Sequence, residues 1–169
     1  NPVTLVRLSE MTAIIDAIDN FVYLVSSFLD KDPLVVPEEM FVAAKILGSE
    51  SLGWVTDLLV QMLGARGYDE ASGASKIFRD ARVFRIFEGP SEALNMYIGA
   101  KILEENTRLE FFVCEILKQS KLFEEIKHAV NQVNEQCMAN KNSSFSRPFS
   151  EQYWVQSLVG EIITYGLIL

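Results

Sequence analysis

One glutamate is placed where it could do chemistry. Glu88 lies in the run Arg82-Val-Phe-Arg-Ile-Phe87-Glu-Gly-Pro90-Ser-Glu92, on a turn flanked by aromatic and aliphatic residues. A carboxylate buried among such neighbours has its pKa raised, which suits it to take a weakly acidic proton near neutral pH. Gly89, next to it, can let a ligand come close to the backbone. The plainer alternative is that Glu88 caps the helix that follows, and Glu92 sits in that helix's first turn, where acids complement the dipole.

Other chemistries find less support. The only histidine, His128, follows no nucleophile signature and reads as a surface or half-buried helix residue. Cys114 and Cys137 form no CxxC and have no neighbouring ligand set, so no metal site is expected and two reduced thiols are the reading. With 15 Lys and Arg against 23 Asp and Glu, the net charge of −8 argues against a nucleic-acid partner or an anionic bilayer surface. The 49% hydrophobic content supplies a sizeable core.

The elements that must position Glu88 are all helical. Leu8, Met11, Ile15, Ile18, Val22, Val25 and Leu29 alternate steps of three and four, which predicts a bundle helix over about 5–29. Pro37-Glu38-Glu39 opens a second helix to about Leu63, with Gly48, Ser49, Ser51 and Gly53 as small residues suited to a close helix or cofactor approach. Gly64–Tyr68 ends it, since glycine is expected at a helix C-terminus. A short helix near 76–82 precedes the Glu88 turn, and a third long helix runs from Pro90-Ser91 to about Arg108. Helix is expected again over about 109–138 and from 151 onward, with an Asn/Ser-rich loop at 140–146 between them. The fold class is all-α, an up-and-down bundle with additional C-terminal helices. Phe78, Phe84 and Phe87 read as core or pocket wall, and Trp54 and Trp154 likewise.

The stretch QMLGARGYDEASGASKIFRDARVFRIFEGPSEALNMY, residues 61–97, resembles the C-terminal helical domain of the acyl-CoA dehydrogenases. That family carries a Gln-x-x-Gly-Gly-x-Gly-Tyr loop, then Arg-Asp-Ala-Arg, then Ile-Tyr/Phe-Glu-Gly-Thr. The resemblance covers about 5–105, including Ala44-Lys45 and Met11 upstream. It implies residues 1–106 as the family's bundle and 107–169 as an extension resembling that of very-long-chain-type members. It also implies FAD, α,β-oxidation of an acyl-CoA or acyl-carrier-protein thioester, and Glu88 as the base taking the α-proton. By the same resemblance Gln61, Gly64, Ala65 and Gly67 meet the dinucleotide of a neighbouring subunit. Pro90 and Glu92 lie at the cofactor edge, and Phe87 and Gly89 border the substrate. Arg79, Asp80 and Arg82 match the Arg-Asp-Ala-Arg element, with an ion pair or cap as their expected role.

Two positions depart from the family pattern. Ala65 replaces a glycine, which is strained if its φ is positive. Pro90 replaces a threonine and offers neither hydroxyl nor N–H. The chain starts at Asn1 and stops at Leu169, and it reads as a piece of a longer protein. On that reading it lacks the family's N-terminal helical and β-domains, forms a homo-oligomer, passes electrons to electron-transfer flavoprotein or another acceptor, and is inactive alone. The alternative is a non-catalytic assembly module derived from the same family. A bacterial parent implies the cytoplasm, a eukaryotic one the mitochondrion.

Overall fold

The computed structural model describes residues 1–104, 107–139 and 153–168, and every regular element among them is helical. Helix α1 is Pro2–Leu29, α2 is Glu38–Leu63, α3 is the single turn Ala65–Tyr68, and α4 is Gly73–Phe84. Then come α5 (Ser91–Leu103), α6 (Thr107–Phe111, running on as a π-helical turn over Phe112–Ile116), α7 (Ser120–Ala139) and α8 (Tyr153–Gly166). The expected loop at 140–146 lies outside the described residues.

Helices α1 and α2 are joined by a tight connector. Asp30 ends α1, the Asp32 carboxylate accepts a hydrogen bond from the Leu34 N–H at 3.0 Å, and Val36-Pro37 is buried. Glu38 and Glu39 then occupy the first turn of α2, favourable at the positive end of the dipole. The inward stripe of α1 differs from the expected seam. Phe21 and Val25 are buried, with Ile18, Leu24, Phe28 and Leu29 packed beside them, whereas Leu8, Ile15 and Val22 are exposed. The helix carries two apolar stripes, and only the one containing Phe21 finds a partner in this chain.

The core runs from Met40, Ala43, Ile46 and Leu47 of α2 through Ile98 of α5 to Phe112, Phe123, Ile126, Val155, Val159 and Ile163. Phe28 meets Phe112 edge to face at 5.4 Å between ring centroids. The residues after 106 therefore share the same core. One long helix over 109–138 is not what forms. Instead the chain widens into the π turn, with the Leu117 N–H donating to Phe112 O at 2.9 Å, and Lys118 turns left-handed at φ +58°. The run Phe111–Leu117 holds more apolar residues than one helical stripe can bury. The π turn lets adjacent Phe112 and Val113 both reach the core while Phe111 stays outside.

Helices α5 and α8 make the closest crossing. They lie antiparallel, Gly99 against the backbone of Gln156 and Gly160 against the backbone of Asn95, with no room for a Cβ at either glycine. The buried Thr164 hydroxyl donates to Asn95 Oδ1 at 3.1 Å beside the crossing. Trp54 and Trp154, read as core or pocket wall, are not in the core: they are 41% and 50% exposed, on faces this chain leaves uncovered.

Candidate functional site

Helix α4 ends at Phe84, and six residues carry the chain to α5. The Ile86 and Phe87 N–H groups bond back to Val83 O at 3.0 Å, and the Ser91 N–H closes the loop onto Arg85 O at 3.3 Å. The reversal falls on Glu88 and Gly89, at φ +56° and +99°. Glycine takes that conformation freely, but for glutamate it costs about 1–2 kcal/mol. Gly89 thus has a conformational role of its own, and a Cβ there would also press on Leu94 at 3.0 Å. Pro90 stands at the N-cap position of α5, with Ser91 as its first residue and Glu92 exposed in the first turn.

Two groups on α2 tie the loop down. Lys45 Nζ donates to Gly89 O at 2.6 Å. Five residues along, Glu50 binds Arg85 through both carboxylate oxygens, Nε to Oε1 at 2.8 Å and Nη2 to Oε2 at 2.6 Å. Gly53 of α2 leaves space for the Arg85 side chain, whose Cδ comes within 3.4 Å of where a Cβ would stand. Sequence reasoning did not assign these roles. The available signal was a lysine set beside Ala44 and Gly48 on a helix face otherwise made of small and apolar residues.

The same face of α2 opens on a cleft of about 430 Å³, lined by Ala44, Lys45, Gly48, Ser49, Leu52, Phe84, Phe87 and Glu88. Gly48 faces open space rather than a helix. Phe84 and Phe87 are pocket wall, as one of the two expectations had it, and both are more than half exposed. Glu88 is exposed rather than buried, which corrects the expectation of an apolar enclosure: this chain supplies only one wall of the cleft. Its carboxylate makes no hydrogen bond or ion pair among the described residues.

Gln61, Gly64, Ala65 and Gly67 lie far from this turn. Gln61 follows Lys45 by sixteen residues on one helix, roughly 24 Å at the α-helical rise. Gln61, Gly64 and Ala65 are exposed at the end of α2. Gly64 takes the positive φ, +60°, so Ala65 starts α3 without strain. Gly67 is buried, and its added Cβ would lie 2.5 Å from Val60 O, so its close approach is to the chain's own backbone. Within one chain, then, the residues assigned to the cofactor form two separate groups.

Arg79, Asp80 and Arg82 are exposed and make no salt bridge among the described residues, against the expected pairing; Arg85 carries the ion pair. His128 is exposed, and Cys114 is a half-buried free thiol; the Cys137 side chain lies outside the described residues. No group of His, Cys, Asp and Glu able to hold a metal occurs among the described residues. The Ser91 hydroxyl, next to Pro90, is buried without a hydrogen-bond partner among the described residues. At the start of α2, the Tyr97 hydroxyl and then Lys101, whose ammonium is 2.9 Å away, hold the Glu38 carboxyl below its ordinary range.

The family described as "Acyl-CoA dehydrogenase, C-terminal domain" matches residues 1–103, from the start of the chain to the end of α5. The chain belongs to that family. Very long-chain specific acyl-CoA dehydrogenase of Homo sapiens is 32% identical over 93 residues, 55% of this chain and 14% of the relative. A probable acyl-CoA dehydrogenase of Bacillus subtilis is 32% identical over 82 residues, 48% of this chain and 14% of the relative. The caffeyl-CoA reductase-Etf complex subunit CarC of Acetobacterium woodii is 29% identical over 98 residues, 58% of this chain and 25% of that protein. The chain thus spans a small part of the length of the curated acyl-CoA dehydrogenases it matches. No solved structure matches it. The relatives include mitochondrial and bacterial proteins.

Proposed function

We propose that this chain is the C-terminal part of an FAD-dependent dehydrogenase acting on an acyl-CoA or acyl-carrier-protein thioester, with Glu88 as the catalytic base. The observation that carries this reading is an unpartnered carboxylate, on a strained left-handed residue, at the rim of an apolar cleft. A thioester's α-proton is weakly acidic, so its removal needs a base with no competing partner, positioned in advance. Glu88 takes that proton, the Cα–Cβ bond becomes double, and the β-hydrogen leaves as hydride. The aliphatic part of the substrate lies along Phe84, Phe87 and Leu52, and Gly89 leaves room at the turn.

The acceptor for that hydride would be supplied by a bound flavin. The chain fits such a group at its edges. The orphaned Ser91 hydroxyl and the exposed Glu92 lie at the start of α5, while the exposed Gln61, Gly64 and Ala65 lie at the far end of α2. Their separation supports a reading in which the two groups serve flavins of different subunits of a homo-oligomer, with Gly67 shaping the second group from within. Pro90 contributes no donor, so the Ser91 hydroxyl is this chain's donor at that edge.

The wall missing from the cleft belongs, on this reading, to the N-terminal and β-domains of the complete protein. Ile77, Phe78, Val83, Phe84, Ile86 and Phe87 form an exposed apolar surface around the site, and Leu5, Leu8 and Ile15 form another on α1. Helix α1 is also long and apolar enough to cross a membrane by length and composition, but the family match over its whole length favours a protein surface as its partner. The chain by itself therefore lacks activity, and electron-transfer flavoprotein or a similar acceptor reoxidises the complete enzyme in the cytoplasm or mitochondrion.

The test is Glu88→Gln in the complete flavin-loaded protein. It keeps the visible flavin spectrum and loses at least about a hundredfold in turnover. Full activity in that variant overturns the assignment. No flavin in the complete protein favours an assembly module instead, the reading to which Pro90 lends support.

A further inference from the structure

The strained turn at Glu88 is held from one helix at two points. Arg85, before the reversal, is fixed by the two-pronged pair with Glu50, and Gly89, after it, is fixed by Lys45. The two anchors stand five residues apart on α2. They are joined across the loop by the Ser91 N–H bond to Arg85 O. Together with the backbone bonds of the loop, they oppose relaxation of Glu88 to negative φ, which would swing its carboxylate to another bearing. A charged donor on a carbonyl is stronger than a neutral one, and this ammonium is part-buried.

We propose that Lys45 is the positioning residue for Glu88: by holding the Gly89 carbonyl, it fixes the left-handed turn that aims the carboxylate into the cleft, with Glu50 and Arg85 as its counter-anchor. This rests on the reading of Glu88 as base for its kinetic consequence, but not for its structural one. Lys45 takes no proton and touches no reacting atom. Its contribution is the geometry at which Glu88 is presented, to which proton transfer is sensitive.

Two measurements test it. In this chain, exchange of the Ser91 amide reports whether the loop is closed, and needs neither cofactor nor turnover. Lys45→Met is expected to accelerate that exchange at least tenfold while amides in the α5–α8 crossing keep their protection. Lys45→Arg, which can still donate, recovers most of it. In the complete flavin-loaded protein, Lys45→Met is expected to lower kcat ten- to a hundredfold with flavin content and KM kept within about twofold, and Lys45→Arg to restore it. Glu50→Gln, which weakens the other anchor without touching Lys45, gives the same signature in smaller size and stands in if Lys45→Met fails to fold. Unchanged exchange in both variants overturns the proposal, as does a kcat loss that Lys45→Arg does not relieve. If Glu88→Gln proves fully active, the base assignment falls, while the exchange data still decide whether Lys45 holds the turn.

Discussion

Replacing Gly99 by alanine should separate two opposing effects of a glycine inside a helix. On an open helix face, Gly→Ala stabilises by about 1 kcal/mol, because alanine loses less backbone freedom on folding. At Gly99 the added Cβ would overlap the carbonyl of Gln156, a backbone group that cannot swing aside like a side chain. Relief requires α5 and α8 to part by about 1 Å over the length of their contact. Ile98, Val155, Val159 and Ile163 line that contact, and none is more than 1% exposed. Burial of such side chains contributes about 1.5–3 kcal/mol each, and a gap of 0.5–1 Å forfeits roughly a quarter to a half of the dispersion part. The loss across the four is about 2–4 kcal/mol, and after the propensity gain the net destabilisation is about 1–3 kcal/mol.

For a chain of this size that lowers Tm by roughly 3–10 °C. Thermal unfolding followed by far-ultraviolet circular dichroism reads it directly. Gly48→Ala is the control, because nothing lies within 4 Å of its Cβ, and it should raise Tm by a few degrees. The double variant Gly99→Ala/Gly160→Ala should cost less than the sum of the two singles. Once the helices have parted for one methyl group, the second already has space. A Gly99→Ala protein that melts at or above the wild type would mean α8 does not lie on α5, and the account of the core beyond residue 106 would be wrong.

Gly67→Ala places a Cβ 2.5 Å from Val60 O and 2.9 Å from Leu63 Cβ, so it should destabilise by about 1–3 kcal/mol in the same melts. Glu38→Gln tests the Tyr97–Lys101 network. The folded-state pKa of Glu38 is lowered, so its stabilisation is fully present above the unfolded value near 4.5 and is lost as pH falls through the folded value. The Tm gap between wild type and variant should be open at pH 7 and close in acid; it should be small, below about 1 kcal/mol, since the pair is largely exposed. Glu88→Asn should raise stability by about 0.5–1 kcal/mol, because asparagine accepts the left-handed conformation better than glutamate; a lower Tm would mean the Glu88 side chain makes a stabilising contact.

Much of the helix layout was legible in the sequence because the signals were local. Pro37-Glu38-Glu39 and Pro90-Ser91 mark helix starts by their fixed φ and favourable charge, and α2 and α5 begin there. What local pattern could not give was which of two apolar stripes on α1 faces inward, since Leu8-Ile15-Val22 and Ile14-Phe21-Phe28 are equally periodic. That choice is made by the shape of α2 and the position of Phe112. The π turn was hidden for a similar reason: a surplus of apolar residues at 111–117 says that burial is wanted, not how the backbone delivers it. At the candidate site, the Glu-Gly-Pro spacing identified the turn, but its anchors depend on contacts 35 and 44 residues apart along the chain. Periodicity carries no such information.

The proposed reading of Glu88 as base accounts both for the strain at this residue and for the lack of a partner for its carboxylate among the described residues. A glutamate kept for stability would be expected to adopt negative φ and to pair with a neighbouring cation, and the loop has cations at hand in Arg82, Arg85 and Lys45. Arg85 is taken by Glu50 and Lys45 by the Gly89 carbonyl, so neither neutralises Glu88. The same two contacts that hold the turn in its strained form also engage the Lys45 ammonium and the Arg85 guanidinium. Both contacts favour a Glu88 carboxylate that is fixed in direction and left without an ion-pair partner among the described residues. A strained glutamate whose turn is upheld by a lysine and an ion pair on the neighbouring helix is what the proposed reading of Glu88 as base calls for, and a helix cap needs none of it.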